Sequence, residues 1–370
     1  MPLESEKIPR LSFVLCSRND NYMGNPVGRL EIALNYLAEN VQLLGREEEV
    51  EVIVTDWGSK VPLKDVLNLN ATAAKITRFL EVPIEVVKEV QKDSPFAEVL
   101  ALNAAARRAN GQYIGRIDQD TLAGERFLRF FFEWIDGKNS PNVDLQRSFL
   151  FSRRRQIPFA FSNKNPHFDQ VSQFIRWCGA LLQVETHSEF LWSPVGIMLL
   201  HKDIWEECRG YDERLLYWGW MEVDMAYRLQ HRYPVVDLGR MVGHSFYHLE
   251  HYDPRLPRKT PRKMNPMISD GLSISPNENT WGLINYPLII QSYSGCKAED
   301  ASETSQRSVA KSNSIFYVPA SIVAVALAYC GRLIKDVVSV PLKPIARAYR
   351  AIRQTSRYGE YFRRIFRSNI

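Results

Sequence analysis

Apolar runs and helical segments alternate along the first 120 residues, and this alternation limits the fold more than any other feature of the sequence. The segment 11–16 is a short apolar run and 50–56 (VEVIVTD) is another, so both are predicted to be buried strands. Apolar residues recur at helical spacing over 28–44, 84–90 alternates like a third strand, and 96–109 is an Ala-rich predicted helix. This order is typical of an α/β fold with a doubly wound, mostly parallel sheet.

Polar side chains follow directly after three of the predicted strands. They form the groups SRND at 17–20, DWGS at 56–59 and DQD at 118–120, the last after a fourth predicted strand. In open α/β sheets, ligands bind beyond the carboxyl ends of the strands, so these groups predict a ligand site. The two acids of the DQD group can share one Mn²⁺ or Mg²⁺ ion, although a solvated turn is the alternative for an isolated D-x-D.

A second acidic pair lies among aromatic residues in YWGWMEVDMAYRL, at 217–229. Glu222 and Asp224 follow Trp218 and Trp220 and begin a predicted helix. A partly apolar environment makes a carboxylate more basic, which suits one that takes a proton from an attacking hydroxyl. The tryptophans offer flat faces to a sugar ring. Asp224 has the alternatives of holding an acceptor or capping its own helix, and the pair as a whole has a purely structural alternative.

Five sequence blocks occur in an order that resembles one enzyme family. They are LCSRND, TDWGS, LNAAARRANGQYIGRIDQD, GIMLLHKDIWEECRGYDERLLYWGWMEVDMAYRL and VGHSFYHLEH, within a region of about three-quarters of the chain, 11–290. On these blocks the chain resembles the GT-A-fold glycosyltransferases of the family 2 type, and its later part is similar to the galactosyltransferase and chondroitin-polymerase groups. The resemblance implies a metal-dependent, inverting transferase of polysaccharide biosynthesis. It would move a hexosyl or N-acetylhexosaminyl group from a nucleotide-sugar, usually UDP-linked, to a hydroxyl of a glycan or glycoconjugate.

The resemblance also implies a role for residues in each block. The expected nucleotide-sugar-binding residues are Ser17, Arg18, Asp56, Asn103 and Asp118, and the expected ligands of Mn²⁺ or Mg²⁺ are Asp118, Asp120, His248 and His244. Glu222 is the expected acceptor-activating base and Asp224 the second candidate, while Trp218 and Trp220 are expected to bind the acceptor. The family commonly has E-D-x-D after W-G, so Met221 replaces an acid here and Glu222 stands where Asp is usual. A third histidine of the last block, His251, receives no role.

Two basic stretches are predicted to contact charged groups of the substrates. A Pro-rich stretch after the last block contains Arg255, Arg258, Lys259, Arg262 and Lys263. It is predicted to close on the diphosphate and stabilise departing UDP, with a solvated loop as the equal alternative. Arg153, Arg154 and Arg155 are candidates for contact with an acidic acceptor.

The last 58 residues differ from the rest in charge. Residues 313–370 carry ten Lys or Arg against two acids, which leaves 1–312 slightly acidic although the whole chain has a net charge of +5. The apolar stretch 313–331 is near the minimum length of a membrane-spanning helix, and the basic amphipathic residues after it suit an anionic membrane surface. A packed helical C-terminal extension is the alternative. Nucleic acid is not expected as a partner, because no recognition fold accompanies the arginines.

The predicted organisation has four parts. They are a nucleotide-sugar-binding half at 1–125, an acceptor-binding and catalytic half of the same GT-A domain at 126–295, a linker at 296–312, and the tail at 313–370. The five cysteines are widely spaced and the first ten residues contain no apolar signal region, so a reducing, cytoplasmic location is expected, with the cytoplasmic face of a membrane as the candidate site. Two other functions remain open at this point: a nucleotidyltransferase acting on sugar phosphates, and a non-catalytic sugar-binding protein.

Overall fold

An eight-stranded sheet forms the centre of the described part of the chain. The computed structural model describes residues 8–139, 141–185, 197–251, 263–266 and 273–295, all within one compact unit. In chain order the strands are β1 Leu11–Ser17, β2 Val50–Trp57, β3 Thr77–Val82, β4 Tyr113–Ile117, β5 Thr121–Ala123, β6 Phe149–Phe151, β7 Arg155–Ile157, β8 Ile197–His201, β9 Val235–Asp237, β10 Phe246–Leu249 and β11 Ile290–Ser292.

The order of the large sheet is β11-β3-β2-β1-β4-β8-β6-β9. Strands β3, β2, β1 and β4 are parallel to one another, as are β6 and β9, whereas β8 runs antiparallel to β4 and β6, and β11 runs antiparallel to β3. A second sheet of three short strands has the order β5-β10-β7. The predicted α/β class with a mostly parallel central sheet is therefore confirmed.

Helices cover both faces of the large sheet. They are α1 Pro26–Leu43, α2 Leu63–Val66, α3 Ala71–Ile76, α4 Ile84–Val90, α5 Glu98–Arg108, α6 Glu125–Ile135, α7 Phe159–Ser162, α8 Phe168–Cys178, α9 Lys202–Cys208, α10 Met221–Gln230 and α11 Leu238–Val242, and short 3₁₀ turns occur at Leu145–Arg147 and Gly179–Leu181. One apolar core includes residues of α5, α9 and α10, and the other includes residues of α1 and α6. None of the helices in the described residues is both long and apolar enough to cross a membrane.

One secondary-structure prediction was wrong. Residues 84–90 form α4, and the third strand is the preceding segment, β3. Pro83 lies between them at the N-cap of α4; it has no N–H to continue a strand ladder, and Glu85 in the next turn favours a helix start. Between 141 and 185 the chain forms β6, β7, α7 and the eleven-residue α8.

The strand pairings bring the predicted polar groups to one edge. In the parallel register of β1 and β2, Ser17 lies opposite Asp56, and β4 ends next to β1 just before the DQD group. In the small sheet, β10 pairs antiparallel with β5, so that His248 lies opposite Thr121. The division at residue 125 stays a prediction, and the linker and the tail at 296–370 lie outside the described residues.

Candidate functional site

Three side chains form a group that can hold a metal ion. Asp120 lies between β4 and β5, His248 lies on β10 opposite the residue that follows Asp120, and His251 lies just beyond the end of β10. One ligand atom from each lies within 4.8 Å of the others. Asp120 Oδ2 is 3.0 Å from His251 Nδ1, and Asp120 Oδ1 is 3.5 Å from His248 Nε2. Pairing of β5 with β10 therefore assembles one carboxylate and two imidazoles at one point.

A chain of hydrogen bonds sets the orientation of the His248 ring. Glu185 is a carboxylate and only accepts hydrogen bonds, so the Gln156 amide directs its NH₂ group to Glu185 Oε1, at 2.9 Å. Gln156 Oε1 then faces His248 Nδ1 at 2.8 Å and accepts a hydrogen bond from the Nδ1–H group. The Nε2 atom of His248 is left with a lone pair on the side of Asp120. Outer hydrogen bonds of this kind fix the tautomer of metal-binding histidines.

The charges around this group favour an ionised Asp120. Burial alone would raise the pKa of Asp120, but the neighbouring His248 and His251 outweigh burial and lower it. Burial lowers the pKa of His248, and the nearby Arg154 guanidinium lowers it further. An ionised carboxylate and a neutral imidazole are the forms that bind metals. Burial would lower the pKa of His251, but the Asp120 carboxylate raises it, so a cation bound here would displace a proton from that ring. With that proton released, the donor set fits a divalent cation.

Asp118, the first acid of the DQD group, has different partners. Its Oδ2 accepts from Arg154 Nη1 at 2.6 Å, and its Oδ1 lies 2.8 Å from Arg116 Nη2. Asp118 is not among the residues of the three-residue metal group within the described structure. The two acids of the D-x-D therefore face different environments: Asp120 faces histidines and Asp118 faces arginines.

Arg116 lies among these acids, and the sequence analysis gave it no role. It lies in β4, 1% exposed, and one nitrogen, Nη2, meets three carboxylates: Glu98 Oε1 at 2.8 Å, Asp118 Oδ1 at 2.8 Å and Glu222 Oε1 at 3.2 Å. The sequence does contain a pattern that points to this arrangement: a charged residue stands inside the otherwise apolar strand YIGRI, just before the DQD group. A charge is costly to bury without partners, so its presence in a strand indicates carboxylates nearby.

The two acids of the second pair separate into different environments. Glu222 lies in the first turn of α10 and reaches Arg116. Asp224, 6% exposed, forms an ion pair with Arg228 at 2.8 Å, and Arg228 also donates to the carbonyls of Gly210 and Ile274. The structure thus brings Glu222 together with Asp118, while Asp224 joins a buried pair within its own helix.

The loop before α10 presents the two tryptophans. Gly219 and Trp220 are consecutive residues with positive φ, 78° and 69°, and Trp220 caps α10. Asn265 holds this loop: its Nδ2 donates to the carbonyls of Tyr217 and Gly219 at 2.8 and 2.7 Å, and its Oδ1 accepts from the Tyr217 N–H. Trp218 is 41% exposed, and Trp220 is half-buried. The loop therefore places a partly exposed tryptophan beside the start of α10.

Residues at the ends of β1 and β2 organise the adjoining edge. Ser17 Oγ donates to Gln119 Oε1 at 2.5 Å, which ties β1 to the DQD loop. Asp56 accepts from the Ser59 hydroxyl and from the Leu63 N–H, so both its oxygens shape the loop after β2. Burial raises the pKa of Asp56.

Arg18 lies at the same edge, immediately after β1. Its Nε is 2.8 Å from Asp20 Oδ2, its Nη1 donates to the Pro95 carbonyl, and its guanidinium lies 5.4 Å from the centre of the Phe96 ring. The Arg18 side chain is 26% exposed, which leaves part of it available to a ligand.

Two predicted site residues lie away from these groups. Asn103 is fully buried, and its amide donates to the Tyr211 carbonyl and accepts from the Tyr211 N–H, so it supports the chain there. His244 is not in the three-residue metal group of the described structure; its carbonyl accepts from Arg155 Nε, and its Nδ1 is buried with no hydrogen-bond partner among the described residues. His251 occupies the third position instead.

The two basic stretches predicted from the sequence lie in different surroundings. Arg154 bonds with Asp118 and Glu185, and Arg155 donates to the carbonyls of Ala180, Leu182 and His244. Both are therefore engaged inside the protein. Lys263 bonds with Asp93 and Tyr217 at the surface. The other four basic residues of the Pro-rich stretch lie outside the described residues.

Glu98 makes stability depend on pH. Burial raises its pKa to about 7, against the charge of Arg116 and with help from the Glu222 and Asp118 carboxylates. The folded protein therefore holds a proton that the unfolded chain has lost, so the stability contributed here falls as pH rises from the ordinary pKa of 4.5 to about 7. We therefore expect the unfolding free energy of the wild type to fall by about 1 kcal/mol more than that of Glu98→Gln when the pH is raised from about 5 to about 8. The difference is this small because the Glu98 side chain is partly screened by solvent. Urea unfolding at both pH values measures this, and equal losses in both proteins would contradict it.

Comparisons with known proteins give similarities of fold. No family model matches the chain, and no curated protein matches it. S. aureus TarS is similar over 65% of this chain and 36% of its own, with a TM-score of 0.41 and 13% identity. TarS 1–349 in complex with UDP is similar over 64% of this chain and 60% of its own, with a TM-score of 0.38 and 15% identity.

A mutant of Drosophila β1,4-galactosyltransferase 7 in complex with manganese, UDP-Gal and xylobiose is similar over 65% of this chain and 71% of its own, with a TM-score of 0.36 and 11% identity. The chain spans about a third of the longer TarS chain and about three-fifths of the shorter one. These similarities assign no residue a role.

Proposed function

We propose that the protein is a metal-dependent, inverting glycosyltransferase that moves a sugar from a nucleotide-sugar, a UDP-sugar above all, to a hydroxyl of a glycan or glycoconjugate. One observation carries the proposal: the group of Asp120, His248 and His251 lies beside a network in which one arginine joins Asp118 to Glu222. A cation site and a carboxylate near it are what a transferase with a diphosphate leaving group requires.

Asp120, His248 and His251 are the proposed metal ligands. Imidazole nitrogens suit a transition-metal ion better than the harder Mg²⁺, so Mn²⁺ is the proposed ion of the two expected from the sequence. When bound, the ion would offset negative charge that develops on the diphosphate of the leaving group. Asp118 is proposed to serve the donor and not the metal, because it lies outside the three-residue group and two arginines keep it ionised without a metal.

The donor nucleotide is proposed to lie along the ends of β1 and β2. Ser17, Arg18 and Asp56 lie at this edge, and the partly exposed Arg18 beside Phe96 offers a cation and an aromatic ring to a nucleotide. Parallel strands direct their carboxyl ends to the same side of a sheet, which is where ligands of open α/β sheets bind. Asn103 is left out of this proposal, because its amide is engaged with Tyr211.

Glu222 is the proposed general base. As the acceptor hydroxyl attacks the anomeric carbon, its proton passes to a Glu222 oxygen, the new glycosidic bond forms, and the bond from the anomeric carbon to the diphosphate oxygen breaks with its electron pair. The released nucleoside diphosphate is the second product. Attack from the face opposite the leaving group inverts the anomeric centre. Trp218, which is 41% exposed, and the neighbouring Trp220 are proposed to hold the acceptor ring.

A location in the cytoplasm, with the tail at the inner face of a membrane, is part of the proposal. It is supported by the charge of 313–370 and by a cytoplasmic supply of nucleotide-sugars. Binding of the protein to vesicles with and without anionic lipid tests it, and equal binding to both would count against a role for the basic tail.

Release of nucleoside diphosphate tests the proposed function. A panel of UDP- and GDP-sugars is incubated with the wild-type protein, with Mn²⁺ or with EDTA, in the presence of glycan acceptors. We expect release from one donor with Mn²⁺ and its loss with EDTA. Pyrophosphate as the product would indicate a nucleotidyltransferase instead, and binding of glycans without turnover of any donor would indicate the sugar-binding protein.

A further inference from the structure

The three carboxylates that meet Arg116 come from three different elements. Glu98 is the first residue of α5, Asp118 follows β4, and Glu222 lies in the first turn of α10. All three reach the same nitrogen, Nη2, at 2.8, 2.8 and 3.2 Å. One guanidinium group therefore connects Asp118, on the donor side of the proposed site, with Glu222, on the acceptor side. It also connects both to Glu98 of α5, which has no proposed role in binding either substrate.

The arrangement is not what charge balance alone would produce. A single carboxylate neutralises a buried arginine, yet three gather here, of which only Asp118 is described as also pairing with a second arginine, Arg154. In addition, Nε and Nη1 of Arg116 are buried with no hydrogen-bond partner among the described residues. A buried polar group left in this way costs free energy, and a buried ion pair often contributes no net stability over apolar side chains. Stability therefore gives a poor account of why the carboxylates share one nitrogen.

Arg228 is a second buried arginine, and its partners differ from those of Arg116. It is also buried, at 4% exposed, but it has one carboxylate partner, Asp224, and its other nitrogens donate to two backbone carbonyls. Arg116 instead concentrates its bonds on one nitrogen between side chains of separate elements. The contrast indicates that the position of those side chains is what Arg116 maintains.

We infer that Arg116 is a positioning residue that holds the Glu222 carboxylate at a fixed place relative to Asp118, with Glu98 as the anchor that keeps the guanidinium from moving toward either one. This inference rests on the proposed function. Arg116 lies inside β4 and is not a group that touches the substrate; it acts through Glu222 and Asp118. An enzyme in which Glu222 is displaced by about 1 Å loses turnover while it still binds its donor, because alignment of the reacting groups is lost.

Arg116→Lys tests the inference. Lysine keeps the positive charge, but its single ammonium group on a flexible stem lacks the planar fork of arginine. We expect kcat per folded molecule to fall by about 100-fold, because Glu222 is displaced. Binding of the nucleoside diphosphate and Mn²⁺ should change by less than about threefold, because Arg154 still holds Asp118 on the donor side. Arg228→Lys is the matched control on the other buried arginine: it should lower the melting temperature while kcat per folded molecule stays within about threefold of the wild type.

Glu98→Ala is the second test and does not depend on a change in the buried strand. The Glu98 side chain is 36% exposed, so the variant should fold. Without the anchor, the guanidinium can shift toward the remaining carboxylates, and we expect kcat to fall by about tenfold with the donor KM unchanged. A kcat within about threefold of the wild type in either Arg116→Lys or Glu98→Ala would overturn the positioning role. No nucleoside diphosphate release from the wild type itself would instead contradict the proposed function, so the two failures are distinguishable.

Discussion

Asp120→Ala is expected to lose Mn²⁺-dependent release of nucleoside diphosphate, with kcat/KM reduced by about 1,000-fold or more. Asp120 is the carboxylate of the three-residue group, and the two remaining imidazoles hold a cation only weakly without it. The Mn²⁺ affinity should fall with the activity. Electron paramagnetic resonance of free Mn²⁺ measures the affinity directly, in the absence of any sugar donor.

His244→Ala is the matched control for Asp120→Ala. His244 lies in the same segment as His248, but it is not among the three residues that approach one another. Its loss should leave the Mn²⁺ affinity within about threefold of the wild type, whereas His251→Ala should weaken it by about tenfold or more. The reverse result, with His244 required and His251 dispensable, would support the ligand set expected from the sequence and contradict the one proposed from the structure.

Glu222→Gln is expected to lower kcat by about 100- to 10,000-fold, the usual range for removal of a general base, while the donor KM stays near the wild-type value. Glutamine has the size of glutamate and still offers an oxygen to Arg116 Nη2, so the surrounding contacts persist. It cannot take a proton from the acceptor. Steady-state kinetics with varied donor and varied acceptor separate the two effects.

Asp224→Asn is the control for the other acid of the pair. The variant leaves Arg228 buried without a carboxylate, so the free energy of unfolding should fall by about 3 kcal/mol, and the activity of the folded fraction should persist. If Asp224→Asn were as inactive per folded molecule as Glu222→Gln, the base would have to be reassigned. Full activity of Glu222→Gln would remove Glu222 from the mechanism.

The sequence was informative where a local pattern determines the structure. The apolar runs that became β1, β2 and β4 are read from consecutive residues, and their carboxyl ends carried the polar groups that the structure brings to one edge. The error at 84–90 arose because alternation of branched residues fits a short strand and a short helix about equally. Pro83 was the deciding residue, because it lies between the end of β3 and the start of α4.

The composition of the metal group could not be read from local patterns. His244, His248 and His251 lie within eight residues of one another, and only the pairing of β10 with β5 determines which of them face Asp120. The same holds for Arg116, whose partners are supplied by α5 and α10. A single sequence indicates which residue types are present at a site, but it does not give the register of strands that are distant along the chain.

The antiparallel ladder between β5 and β10 also has a consequence for folding kinetics. Asp120 and His248 are far apart in sequence, so their approach requires closure of a long loop, which is slow compared with the formation of α1 or α5. Intermediates that hold β1, β2 and their helices would lack the cation site. Recovery of Mn²⁺ affinity during refolding should therefore lag behind recovery of helical circular dichroism.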